Sequence, residues 1–230
     1  FLPVVFGVFA VLVGLHVWSR ESYVLTGVDL GMQETGGRIL RNRRNRWLLA
    51  SYILYSFTWQ SVTSFLPTFL ELEKGFPISV ASGGFAALFI VGAVVKPVAG
   101  NLGDRFSPRI VAVGALLVGM AGLFAVVVAD SMLFSISAVV VFAVGLMSYP
   151  PVMQTHLMNR FDTESMGGDL GAMRTMYIGL ASLGPTYVGY VAGVGSYGLA
   201  FLGIVVLLGV STAIIGIQLF EDRRNAPERE

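Results

Sequence analysis

The chain has 230 residues, 55% of them hydrophobic and 13% charged, with a mean hydropathy of +0.75. A water-facing domain carries about 25% charged residues, so this composition excludes an ordinary soluble globule. The net charge of +1 excludes nothing, whereas the absence of cysteine removes disulfides, thiol nucleophiles and Cys-based metal sites together.

The apolar residues come in runs of about twenty, the length that crosses a hydrocarbon core of roughly 30 Å. Seven such runs are predicted to be transmembrane helices. The first covers residues 1–18. It opens inside the apolar run, with neither a basic start nor a small-residue cleavage site, so it reads as a helix whose upstream sequence is missing and not as a signal peptide. The polar segment 19–46 follows, carrying Arg20, Arg38, Arg41, Arg43, Arg44 and Arg46. The second run, about 47–70, ends in the turn Glu71-Leu-Glu-Lys-Gly-Phe-Pro77. The third (79–99) and fourth (110–129) flank a charged, glycine-bearing turn over residues 100–109. Asp104, Arg105 and Arg109 would each cost about 2.5–3.5 kcal/mol at the bilayer centre, so this turn must lie at a membrane face. An Asp130-Ser131 turn leads to the fifth run (132–157), the loop 160–168 to the sixth (169–193), and a Gly195-Ser-Tyr-Gly198 turn to the seventh (199–220), before the tail 221–230.

Because loops alternate sides, the segment 19–46, the turn 100–109, the loop 160–168 and the tail share one face. To the arginines above that face adds Arg105, Arg109, Arg160, Arg223, Arg224 and Arg229. The opposite face holds Lys74 alone, while Lys96 and Arg174 lie just inside spans on the basic side, where they can snorkel. This asymmetry makes the basic face cytoplasmic. The glycines Gly83, Gly84, Gly92, Gly114, Gly119, Gly122, Gly184, Gly189 and Gly193 are expected to let helices approach closely, because small residues carry much of the packing in lipid. Pro150, Pro151 and Pro185 each remove a backbone hydrogen bond and are expected to bend their helices.

The pattern Gly100-x-Leu102-x-Asp104-Arg105-x-x-x-Arg109 resembles the signature loop of the major facilitator superfamily, Gly-x-Leu-Ala-Asp-Arg-x-Gly-Arg-Arg. Gly103, Ser107 and Pro108 depart from it. In that family the loop lies between helices two and three, with a weaker copy between eight and nine. If residues 1–18 are the sixth helix, the loop here falls between the eighth and ninth. Residues 19–46 then look like the cytoplasmic linker, and Gly184-Pro185 with Gly189 is similar to the Gly-Pro-x-x-x-Gly pattern of the eleventh. The resemblance implies an all-α polytopic membrane protein: a six-helix C-terminal bundle over 47–220 plus one preceding transmembrane helix. It implies a secondary transporter of a small solute, working by alternating access in the cell membrane and present here as a fragment. The implied partners are the bilayer, the missing N-terminal half and the solute, with no nucleic acid, cofactor or metal and a monomeric full-length protein.

A carboxylate such as Asp104 can accept from the free N–H groups opening a neighbouring helix. Either it latches the cytoplasmic side to the fifth helix of the other half, with Arg105 and Arg109 adding ion pairs, or it belongs to a solvated turn. Tyr52, Tyr55, Ser56, Trp59, Gln60 and Thr63 share one face of the would-be seventh helix at spacings of three, four and seven. They either line a cavity or bond between helices. Tyr149, Met153, Gln154 and His156 follow on the would-be tenth helix, with His156 and His16 read as structural donors in preference to proton carriers. No Asp or Glu lies deep in a span, so any proton coupling is expected to reside elsewhere. Arg174 is expected to pair with Asp169 or snorkel before meeting an anionic substrate. A membrane-embedded enzyme would need catalytic residues converging within the spans, such as a His-x-x-x-His pair, and that pair does not occur. A structural or sensory membrane subunit is the remaining alternative.

Overall fold

A computed structural model of the chain describes Gly7 and residues 10–15, 32–158, 161 and 165–224. Of the expected features, most of the span 1–18, the segment 19–31, His16, Arg20, Arg160 and Arg229 lie outside the described residues. The chain divides into two compact units, Phe1–Leu30 and Gly31–Glu230. In the first, Gly7 and residues 10–15 are helical, and Val11, Leu12 and Leu15 are exposed.

The second unit is built from α1 (Met32–Arg41), α2 (Arg43–Thr68), a π-helical turn (Phe69–Glu73), α3 (Ile78–Arg105), α4 (Pro108–Val128), α5 (Met132–Met158), α6 (Met166–Ala181), α7 (Leu183–Val194) and α8 (Tyr197–Arg224). Among the described residues α3, α4, α5 and the stretch Tyr197–Glu221 of α8 are long and apolar enough to cross a membrane by length and composition. α2 is also long, at 26 residues, but its Ser, Thr, Tyr and Gln side chains dilute its apolar character. The expected sixth span is broken at Ser182, which separates α6 from α7. Pro185 explains the break, since its ring crowds the carbonyl four residues back, at Ala181, and it has no N–H to give. In place of a continuous backbone ladder, the Ser182 hydroxyl donates to the Gly179 carbonyl at 2.6 Å. α1 falls within the stretch expected to be a linker. Its Ile39 is buried, and Gly36 sits close against Met176 of α6.

Helices α4 and α5 pack backbone to backbone. A Cβ on Gly145 would lie 2.5 Å from the Gly119 Cα and 2.6 Å from the Ala115 carbonyl oxygen, and one on Gly122 would lie 2.6 Å from the Phe142 Cα. No side chain fits in that seam, so contact is made by the main chains themselves. Gly184 is equally confined, with the Ser61 Oγ at 2.5 Å and the Phe57 carbonyl oxygen at 2.7 Å, which brings α7 onto α2. Gly83, Gly114 and Gly193 face open space, so the expectation of close packing holds for some glycines and not for these. α5 is the central helix, with 50% of its spanning window buried; α3 lies at the edge with 22%.

One end of the bundle is tied by a pair of opposite charges. The Glu73 carboxylate accepts from the Gly198 N–H at 2.9 and 3.0 Å, capping the N-terminus of α8. The adjacent Lys74 ammonium donates to the carbonyls of Val127 and Ala129 at 2.5 and 2.8 Å, capping the C-terminus of α4. Each charge meets the helix end whose dipole it complements.

Candidate functional site

Four tyrosines meet inside the bundle. Tyr52 and Tyr55 are a turn apart on α2, Tyr149 precedes the two prolines of α5, and Tyr177 comes from α6. The Tyr149 ring stacks on Tyr55 with centroids 4.6 Å apart and meets Tyr52 edge-on at 5.6 Å. Tyr52 stacks in turn on Tyr177 at 5.1 Å. Such pairs are worth about 0.5–1.5 kcal/mol each beyond burial. The Tyr149 hydroxyl hydrogen-bonds Ser51 Oγ at 2.9 Å, and Ser51 Oγ hydrogen-bonds Ser211 Oγ of α8 at 2.8 Å. This chain of hydroxyls joins α2, α5 and α8 without a charge. Tyr52 is different: it is 3% exposed, and among the described residues its hydroxyl has no hydrogen-bond partner.

The remaining stripe residues turn to two sides. Trp59 is half-buried and meets Phe89 of α3 edge-on at 5.8 Å. The Gln60 amide donates to the Ile178 carbonyl of α6 at 3.3 Å. Thr63 folds back on its own helix, donating to the Trp59 carbonyl at 2.7 Å. Ser56 is buried, Met153 is fully enclosed, and Gln154 is half-buried. Only part of the stripe is therefore drawn into the aromatic cluster; Trp59 and Gln60 reach the flanking helices.

The turn 100–109 is tighter than its composition suggests. α3 continues through Asp104 and Arg105, and only Phe106 and Ser107 separate it from α4, which begins on Pro108. Proline suits the first helical position because its φ is already helical and its missing N–H would have no intrahelical partner. Gly103 is buried, and a Cβ there would come within 3.2 Å of Val152; Gly100 lies nearer open space, 3.9 Å from Pro151. Leu102, Asp104 and Arg105 are exposed. Arg109 points inward, 9% exposed, and donates to His156 Nε2 at 3.4 Å. Because a guanidinium has no acceptor, that bond requires His156 to accept at Nε2. Asp169 is buried at the start of α6 and accepts from the Ser165 hydroxyl at 2.7 Å, while Arg174 is exposed.

The sequence model of the Major Facilitator Superfamily matches residues 2–185, a stretch that takes in the turn 100–109, the tyrosine cluster and the Gly184-Pro185 pair. The chain belongs to the major facilitator superfamily. Membership makes it a multi-pass membrane transport protein. Among curated proteins, none matches the sequence. Three members of this superfamily protein's central cluster were not anticipated: Ser51, Tyr177 and Ser211. Ser51 and Ser211 are small hydroxyls of otherwise apolar runs, and only Tyr177, a tyrosine well inside its span, carried a signal that could have raised it.

Proposed function

We propose that this superfamily member is a secondary carrier that moves a small solute across the cell membrane by alternating access. In this reading α2 to α8, with α6 and α7 together as one broken span, act as the C-terminal six-helix bundle and the arginine-rich end faces the cytoplasm. Asp104 carries the reading. It stands in the last turn of α3, where a carboxylate meets the negative end of the helix dipole. It is exposed, and among the described residues it makes no hydrogen bond or ion pair. A carboxylate held in a position its own helix disfavours, at a membrane face, is suited to a partner outside the bundle. The free N–H groups opening a helix of the other half would supply one. That contact exists only while the cytoplasmic side is closed, so it acts as a latch between the two rocking halves. The tyrosine cluster supplies the solute's contact, with the Tyr52 hydroxyl as its polar handle.

The test is Asp104→Asn in the purified carrier reconstituted into proteoliposomes, with transport read by counterflow across a panel of small solutes. The amide keeps the shape and loses the charge. Exchange of the accepted solute falls at least about tenfold, consistent with a change of roughly 1.4 kcal/mol in the latched state, while the thermal midpoint is unchanged. Wild-type exchange rates in the variant would dismiss the latch, and no exchange of any solute by the wild type would dismiss the carrier.

A further inference from the structure

At the arginine-rich end, the first turns of α2 and the last turns of α8 frame a pocket of about 440 Å³ lined by Arg43, Arg44, Trp47, Gln218, Glu221 and Arg224. A smaller pocket shares Arg43, Trp47, Gln218 and Glu221 with it and continues onto Ile214 and Ile217. Glu221 pairs with Arg43 at 3.6 Å, and the lining counts three arginines to one glutamate. Gln218 is 7% exposed, and among the described residues its Nε2 has no hydrogen-bond partner. A buried amide with donors unused is a poor arrangement unless something accepts from it. Trp47 is partly exposed at the same level, as an indole at a membrane interface is. Ile217, one residue before the buried amide, is largely exposed to the lipid side of α8.

We infer that this pocket holds the headgroup of an anionic phospholipid. The phosphate sits among Arg43, Arg44 and Arg224, the Gln218 amide donates to it, and one acyl chain lies along Ile214 and Ile217. Basic pockets between transmembrane helices recognise such headgroups through charge and hydrogen bonds together. The apolar extension distinguishes a lipid from a free anion, which would leave Ile214 and Ile217 unused. The excess positive charge distinguishes an anionic headgroup from a zwitterionic one, whose ammonium would meet the same guanidiniums. The occupied site ties α2 to α8 at the end of the bundle opposite the Glu73–Lys74 caps.

Native mass spectrometry of the detergent-purified carrier tests this, with dioleoyl phosphatidylglycerol or dioleoyl phosphatidylcholine added at equal concentration. The wild type retains phosphatidylglycerol in preference. Arg224→Gln and Gln218→Leu each weaken that retention about fivefold, the scale of one basic residue near an anionic surface, and leave phosphatidylcholine unaffected. Arg41→Gln, an exposed charge on α1 outside the pocket, changes nothing. Millimolar inorganic phosphate does not displace the lipid. Equal retention of the two lipids overturns the assignment, as does an equal loss in Arg41→Gln. Displacement by inorganic phosphate also overturns it, because the pocket would then be an anion site with no lipid component. If Gln218→Leu fails to give a monodisperse protein, the exposed Arg224→Gln decides alone.

Discussion

Tyr52 and Tyr149 share one aromatic cluster yet have opposite hydrogen-bonding circumstances. Tyr149 is satisfied by Ser51, whereas the Tyr52 hydroxyl, equally enclosed, is not satisfied by any described residue. An enclosed hydroxyl without a partner opposes folding by about 1–3 kcal/mol, so its retention needs a reason other than stability. Tyr52→Phe separates the two. It removes the hydroxyl and keeps the stack on Tyr177, so the thermal midpoint holds or rises. If a solute bonds that hydroxyl, KM for its exchange rises about fivefold, for a net hydrogen bond worth about 1 kcal/mol. A lowered midpoint with KM unchanged would show that the hydroxyl serves the fold. The cluster was half legible in the sequence. Tyr52 and Tyr55 stood out as aromatics sharing one polar face at helical spacing, and Tyr149 as a polar aromatic beside the double proline. Ser51 and Ser211 did not, because a lone serine in an apolar run looks the same whether it bonds its own helix, as Ser148 does, or a helix 160 positions away.

Among the helices, α4 and α5 have the least room for adjustment. The seam through Gly119, Gly122 and Gly145 leaves main chain against main chain, and a side chain introduced there has no rotamer that avoids it. Gly145→Val is expected to destabilise the bundle by more than the about 1–3 kcal/mol usual for overpacking. In thermal unfolding of the purified protein it lowers the midpoint by several degrees, whereas Gly114→Val, which faces open space, leaves it unchanged. Glycine count alone could not separate these two positions, since each lies in a long apolar helix and they differ only in the face they present. Helix ends were similarly hidden. Apolar content drops at residue 99, but the α3 backbone continues to Arg105, because charged residues sustain a helix once it has left the hydrocarbon. The break at Ser182 was the opposite case: the stretch from Met176 to Val194 carries no charge, yet the helix is interrupted ahead of Pro185.

For the whole molecule, the two ends of the bundle differ in how their charges are used. One end gathers Arg43, Arg44, Arg105, Arg109 and Arg224, while the other carries Glu73 and Lys74 spent on helix caps. The absence of cysteine makes the orientation directly measurable. A single cysteine at Ser131, exposed in the turn between α4 and α5, is labelled in intact cells by a membrane-impermeant maleimide. One at Ser107, exposed between α3 and α4, is labelled only after lysis. The reverse pattern would invert the assignment of faces. The α4–α5 seam also has a bearing on how the protein is made. Its two helices are consecutive, joined by only the residues Ala129 to Ser131, and they need no other segment to complete their contact. Once Met158 has emerged from the ribosome, this hairpin holds all the surfaces it requires, so it can assemble in the membrane before α6, α7 and α8 are synthesised and serve as the template on which they dock.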